Sequence, residues 1–234
     1  MNRSPFATQS AMQLASILLL SFYSGLRPSS LVRYEIGSSY ARVSDVKVVK
    51  RGPFDVSIEL SIKNLKGFNH ISGKAHSQRW IFKSATKTHN AGLDLSTTLI
   101  PLLIDRGVLY EAESGCCVPS ADDFISSRQA VFVCHGDSPL FLAGSQVLGA
   151  LSSDPLTGSA MALQIAALCT QANLPRAGSY AFRHEAGNRM AVMLGAEAAK
   201  SALGHGLKGD VTRRHYSMDT ANIDWIDLAL EENI

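Results

Sequence analysis

The sequence predicts a mainly helical α+β fold built around a small antiparallel sheet. Residues 43–62 alternate apolar and polar side chains on a two-residue period, a third apolar run follows at Trp80-Ile81-Phe82, and apolar-rich helical runs lie on either side. At 234 residues and 46% hydrophobic content the chain can bury a core of its own. Residues 1–220 are read as one domain, followed by an acidic tail, 221–234.

Taken in order, residues 10–23 place Met12, Ala15, Ile17, Leu18, Leu19, Phe22 and Tyr23 densely enough for a helix buried over much of its surface, which Gly25 is placed to end. Pro28 suits the first turn of a second helix, with Ser29 or Ser30 available to satisfy its open backbone donors. Val43, Val46 and Val48, then Phe54, Val56, Ile58, Leu60 and Ile62, form a hairpin around Arg51-Gly52-Pro53. Leu95 to Leu109 reads as a helix that Pro101 kinks or restarts. Residues 115–127 read as loop, Val131-Phe132-Val133 as a short strand, and the Gly- and Ser-rich stretch 144–158 as a mobile connection. A helix over Ser159–Ala172, capped by Ser159, follows. Another opens after Gly178-Ser179 and ends at Gly195, a further one covers Ala196–Leu203, and an acidic helix bearing Trp225, Ile226, Leu228 and Leu230 closes the chain.

Several function classes fall away at this level. The apolar run Leu14–Tyr23 is too short to span a bilayer and is interrupted by Ser16 and Ser21, so no membrane partner is expected. Cys116, Cys117, Cys134 and Cys169 have neither the number for a disulfide framework nor zinc-site spacing, which suits an intracellular protein without a metal. His135 reads as a satisfied loop histidine. Net charge is only +2, yet it is unevenly distributed: residues 42–89 hold 10 basic and 3 acidic side chains, residues 176–216 hold 7 and 3, and the middle and tail are acidic. Two basic blocks on one face would suit a phosphate backbone, with salt-sensitive affinity.

Residues 179–217 carry the chemistry. Arg183 lies early on a helix with Tyr180 three residues before it on the same face, Leu203-Gly204-His205 makes a turn, and Arg213-Arg214-His215-Tyr216 ends the stretch. An arginine offers a planar fork of donors to phosphate oxygens, a histidine can move a proton near neutral pH, and a tyrosine hydroxyl can form a covalent intermediate. In that order these residues resemble the C-terminal half of the catalytic domain of tyrosine recombinases, the DNA breaking-rejoining enzymes. Upstream, Gly25-Leu26-Arg27 resembles the setting of their first arginine, with Ser30 where a glutamate is usual. Most members carry His-x-x-Arg where this chain has Tyr180-Ala181-Phe182-Arg183. Tyrosine there resembles the captain recombinases of fungal Starship mobile elements, as does the run Arg183, Glu185, Ala186, Gly187, Asn188; crypton-like recombinases are the nearest alternative.

The resemblance implies a catalytic set of Tyr216, Arg27, Arg183, Lys63, His205 and Tyr180. Tyr216 would be the nucleophile, the two arginines would neutralise the phosphate, and Lys63, with Lys66 as the alternative, would protonate the leaving oxygen. His205 and Tyr180 would position the phosphate or the nucleophile. It further implies double-stranded DNA as partner, self-association on it, no cofactor, and a nuclear location in a eukaryotic cell. Only 26 residues precede Arg27, where recombinases carry a DNA-clamping domain, so weak DNA binding by this chain alone is expected. The tail is expected to pack either on its own domain or on a neighbouring protomer. The competing class is a recombinase-derived DNA-binding or regulatory module that keeps the site for phosphate contact only.

Overall fold

Twenty residues, Pro5–Ser24, form the first helix, α1, and the rest of the fold packs around it. A computed structural model describes residues 5–35, 38–63, 77–145, 150–195, 199, 202–203 and 224–230. Gly25, at φ +62°, ends α1 in the left-handed conformation that glycine adopts at little cost. Helix α1 buries Ile17, Leu20 and Tyr23 together with polar Gln13, Ser16 and Ser24, and each of the three polar groups is satisfied. The Ser16 and Ser24 hydroxyls donate to carbonyls one turn back. The Gln13 carboxamide donates to the Leu142 carbonyl at 2.8 Å and accepts from the Leu142 N–H at 2.7 Å, pairing with a strand edge as another strand would.

The two-residue alternation becomes β1 (Val46–Lys50), β2 (Val56–Lys63) and β3 (Ser77–Lys83), antiparallel neighbours with Val48 opposite Ile58 and Leu60 opposite Trp80. Val43 falls in a one-turn 3₁₀ helix, Val43–Asp45, ahead of β1. Two strands beyond this hairpin complete a five-stranded sheet in the order β3-β2-β1-β5-β4, where β4 is Leu109–Glu111 and β5 is Val131–Cys134. The fold is thus mixed α+β with a small antiparallel sheet. Val46, Val48, Ile58, Leu60, Ile62, Trp80, Phe82 and Phe132 from the sheet join the apolar residues of α1 and of α3 (Ser96–Asp105) in one core.

Several elements differ from expectation. Helix α2 (Pro28–Leu31) is a single turn, and neither serine caps it: Arg27 occupies the N-cap position, and its side chain does not cap the helix. Pro101 lies inside α3, whose span stops at Asp105 because Leu109 is needed in β4. Within 115–127, α4 (Ala121–Ser126) forms, with the Ser120 hydroxyl accepting from the Asp123 N–H at 3.1 Å. Its far end is held by Lys50, whose buried ammonium donates to the carbonyls of Phe124, Ile125 and Ser127 at 2.7 Å each. The stretch expected to be a mobile connection instead contributes a second, two-stranded sheet, β6 (Leu142–Ser145) with β7 (Ala150–Pro155). Helix α5 (Gly158–Gln171) is capped by Thr157 rather than Ser159. His135 packs edge-on against Tyr110.

Helix α6 (Ser179–Leu194) begins and ends where the glycines predict. Helix α7 (Trp225–Leu230) lies on the chain's own β3, α1 and α6 with Trp225 and Ile226 fully buried, and Asp224 meets Lys83 at 2.9 Å. No helix among the described residues is long and apolar enough to cross a membrane.

Candidate functional site

Arg27 and Arg183, far apart in sequence, meet in one pocket at the end of α1. The Gly25 turn reverses the chain and leaves Arg27 half-buried at the start of α2, in extended backbone geometry (φ −64°, ψ 139°) with Pro28 fixing the next residue. Helix α6 approaches from the other side, burying Arg183, Ala186 and Met190 along one stripe. Its small residues permit close contact. Leu203 fills the remaining space, so that a Cβ at Gly25 would stand 2.5 Å from Leu203 Cδ2 and one at Gly187 3.0 Å from Leu203 Cδ1.

Arg183 is 7% exposed and ties three segments together. Its Nη1 donates to the Gly25 carbonyl and its Nη2 to the Leu203 carbonyl at 2.5 Å. The neighbouring carbonyl, Ala202, accepts from Gln78 Nε2 at 3.1 Å. Arg189 makes a second bridge from α6 to α1, stacking 3.9 Å from the Phe22 ring centroid. Burial first, and then the Arg27 cation beside it, push the Arg183 guanidinium down to about 10; Tyr180 pulls the other way. A guanidinium stays charged at any working pH. The shift reflects burial first and the neighbouring cation second, and a bound anion would relieve the repulsion between the two cations.

Ser24, Gly25, Leu26, Arg27, Ser30, Gln78, Trp80, Arg183, Ala202 and Leu203 line this pocket, a cavity of about 10 Å³. Of the residues expected to converge, the structure brings together Arg27 and Arg183, with Tyr180 near enough to act on Arg183 electrostatically while its side chain is 47% exposed. Lys63 ends β2 opposite Ser77, one residue pair beyond Ile62 and Gln78. His205, Tyr216 and Lys66 lie outside the described residues. Gln78, Trp80 and Ser30 belong to the pocket although no motif marked them as such. The available signal was the two-residue period of β3, which puts Gln78 and Trp80 on one side of the strand.

The basic block 42–89 is less exposed as charge than its composition suggests. Arg42 pairs with Asp137 at 2.7 Å, Arg51 with Asp55 at 2.9 Å and Lys83 with Asp224 at 2.9 Å, while Glu59 lies between Lys47 and Arg79 and Lys50 is buried. Two of those partners, Asp137 and Asp224, come from the acidic segments. Among the described residues no group of three or more His, Cys, Asp or Glu side chains is placed to hold a metal ion.

The class defined so far is a mixed α+β domain with a two-arginine pocket suited to an anion. No protein-family model matches the sequence, and no curated protein matches it either. Among solved structures the chain is similar to a mutant of Flpe in a DNA Holliday junction complex, at 12% identity and TM-score 0.49 over 96% of this chain and 46% of that one. It is also similar to Flpe in a Holliday junction complex, at 13% identity and TM-score 0.47 over 97% and 46%, and to FLP recombinase in a Holliday junction complex, at 12% and 0.47 over 95% and 44%. The chain spans under half the length of each of these proteins.

The close approach at Gly25 gives a first expected result. Gly25→Ala adds a methyl group against Leu203 in a backbone conformation that alanine resists, and should lower stability by about 2–4 kcal/mol in urea denaturation. Combining it with Leu203→Ala should cost less than the sum of the two single changes, because the second removes the clash.

Proposed function

We propose that this chain is the catalytic portion of a tyrosine recombinase that cuts and rejoins DNA through a 3′-phosphotyrosyl intermediate. The observation that supports it above others is the meeting of Arg27 and Arg183 in one pocket, where two cations lie beside a cavity that admits a single oxygen-sized atom. In this reading the Tyr216 hydroxyl attacks phosphorus and the bond to the 5′ oxygen breaks. Arg27 and Arg183 offset the charge that builds on the non-bridging oxygens, where preorganised donors act most strongly. Lys63, or Lys66 three residues further on, protonates the departing 5′ oxygen, and His205 and Tyr180 hold the phosphate or the nucleophile. The phosphotyrosyl bond keeps the energy of the broken linkage, so rejoining needs only another 5′ hydroxyl. The chain would work as a self-associated assembly on double-stranded DNA, in the nucleus of a eukaryotic cell, with no cofactor. The Tyr180-x-x-Arg183-x-Glu185-Ala186-Gly187-Asn188 run favours the captain type that mobilises a fungal transposable element.

One observation favours the alternative, a DNA-binding module without strand cleavage: both terminal nitrogens of Arg183 are engaged by backbone carbonyls. Incubation with a nicked suicide duplex separates the two. Salt-sensitive binding together with a detergent-stable protein–DNA adduct supports the enzyme, binding without an adduct supports the module, and no affinity even at low salt removes both.

A further inference from the structure

We propose that Trp80 supplies a third donor to the anion site, its indole N–H binding one non-bridging oxygen of the phosphate held between Arg27 and Arg183. This rests on the two-arginine pocket being a phosphate site. Trp80 lies on β3, paired with Leu60, and is 1% exposed. Its Nε1 is buried and has no acceptor among the described residues, a costly state for a strong donor in a core whose other polar groups are mostly paired. Trp80 also lines the same small cavity as Arg27, Arg183, Ser30 and Gln78.

The chemistry of that cavity indicates which atom completes it. A space of about 10 Å³ admits one oxygen-sized atom, not a whole phosphate, so the rest of the group would remain outside toward the half-buried Arg27. The carbonyls of Gly25, Leu203 and Ala202 are taken by Arg183 and Gln78. What is missing is an acceptor. Beside two guanidinium groups, an anionic oxygen satisfies the indole N–H and also reduces the repulsion between the cations, whereas a water molecule does only the first. Since Trp80 faces the pocket from the strand that holds Gln78, β3 would contribute to phosphate recognition alongside the two arginine segments.

The test is an indole proton–nitrogen NMR titration of the whole chain with inorganic phosphate. The chain has two tryptophans, Trp80 and Trp225, and both are buried, so the Trp225 signal is an internal control. Phosphate should move the Trp80 resonance downfield and leave that of Trp225 in place. Assignment through contacts to Leu60 and Leu203 requires no variant. Trp80→Phe, which keeps a ring and removes the N–H, should then weaken phosphate binding and lower kcat for adduct formation, each by about tenfold to a hundredfold, the worth of one hydrogen bond to a charged acceptor, with KM for DNA nearly unchanged. A Trp80 resonance that stays fixed at saturating phosphate means that the N–H serves a structural water, and overturns the proposal. A moved resonance in a protein that forms no DNA adduct keeps the Trp80 donor and removes the recombinase reading. Adduct formation at the wild-type rate in Trp80→Phe does the reverse.

Discussion

Tyr216→Phe should remove the covalent protein–DNA adduct entirely while leaving DNA affinity within about twofold of the parent chain, since the ring stays and only the attacking oxygen is lost. On a suicide substrate, adduct formation should fall more than about a thousandfold, the scale seen when a covalent nucleophile is deleted. The result is informative because the chain offers only six tyrosines. Tyr23 is buried, with its hydroxyl donating to the Leu93 carbonyl, so it cannot reach a phosphate. Tyr34 is exposed but packs its ring against Gly158, where a Cβ would stand 2.5 Å away, Tyr40 lies under the Arg42 guanidinium, and Tyr110 meets His135 edge-on, none of them at the two-arginine pocket. Tyr180 is the serious competitor: it is exposed and close enough to Arg183 to influence its charge. An adduct that survives in Tyr216→Phe and disappears in Tyr180→Phe would transfer the nucleophile to helix α6. Mass mapping of the adduct peptide distinguishes the two independently of rates.

Why the sequence located Arg27 and Arg183 but not Trp80 follows from where each signal resides. The arginines are marked locally, one by Gly25 and Pro28 around it and the other by a glycine-started helix with small residues at Ala186 and Gly187. Trp80 and Gln78 reach the pocket through the register of β3 on β2, a pairing that joins residues well separated in sequence. No local pattern reports that. The same division runs through the fold. β1 and β2 are legible because their faces alternate, and α6 because its ends carry glycine. β4, three residues long, exists only because Leu109, Tyr110 and Glu111 can pair with β5, so from sequence Leu109 reads as the end of the preceding helix and nothing marks Tyr110 and Glu111 as a strand. The β6–β7 hairpin has poor strand composition and depends on Gln13 of α1 to complete its edge. Helix α4 was an oversight of a different sort, since Ser120 and Asp123 already stood at capping distance.

Arg183 presents the sharpest contest between structure and function, and two substitutions should differ in how far they separate stability from activity. Arg183→Ala removes donors to the Gly25 and Leu203 carbonyls, and such bonds from a charged group contribute about 1.5–3 kcal/mol each. It also removes a buried cation that Arg27 repels, which offsets part of that loss. The net expectation is destabilisation by about 2 kcal/mol, together with loss of adduct formation by at least about a hundredfold, the effect of deleting one preorganised donor. Arg183→Lys should recover little activity, because a point charge cannot span two carbonyls and a phosphate at once. Arg27→Ala should act far less on the fold. Arg27 is half-buried and its interaction with Arg183 is partly screened, so removing it in phosphate-free, low-salt buffer should change stability by less than about 1 kcal/mol while abolishing adduct formation. Phosphate should then raise the melting temperature of the parent chain and lose that effect in Arg27→Ala, as expected of an anion that binds the folded state between two cations. Equal stabilisation of both proteins by phosphate would place the anion elsewhere, and a strongly destabilised Arg27→Ala would show that Arg27 helps to hold the fold rather than opposing Arg183 across an anion site.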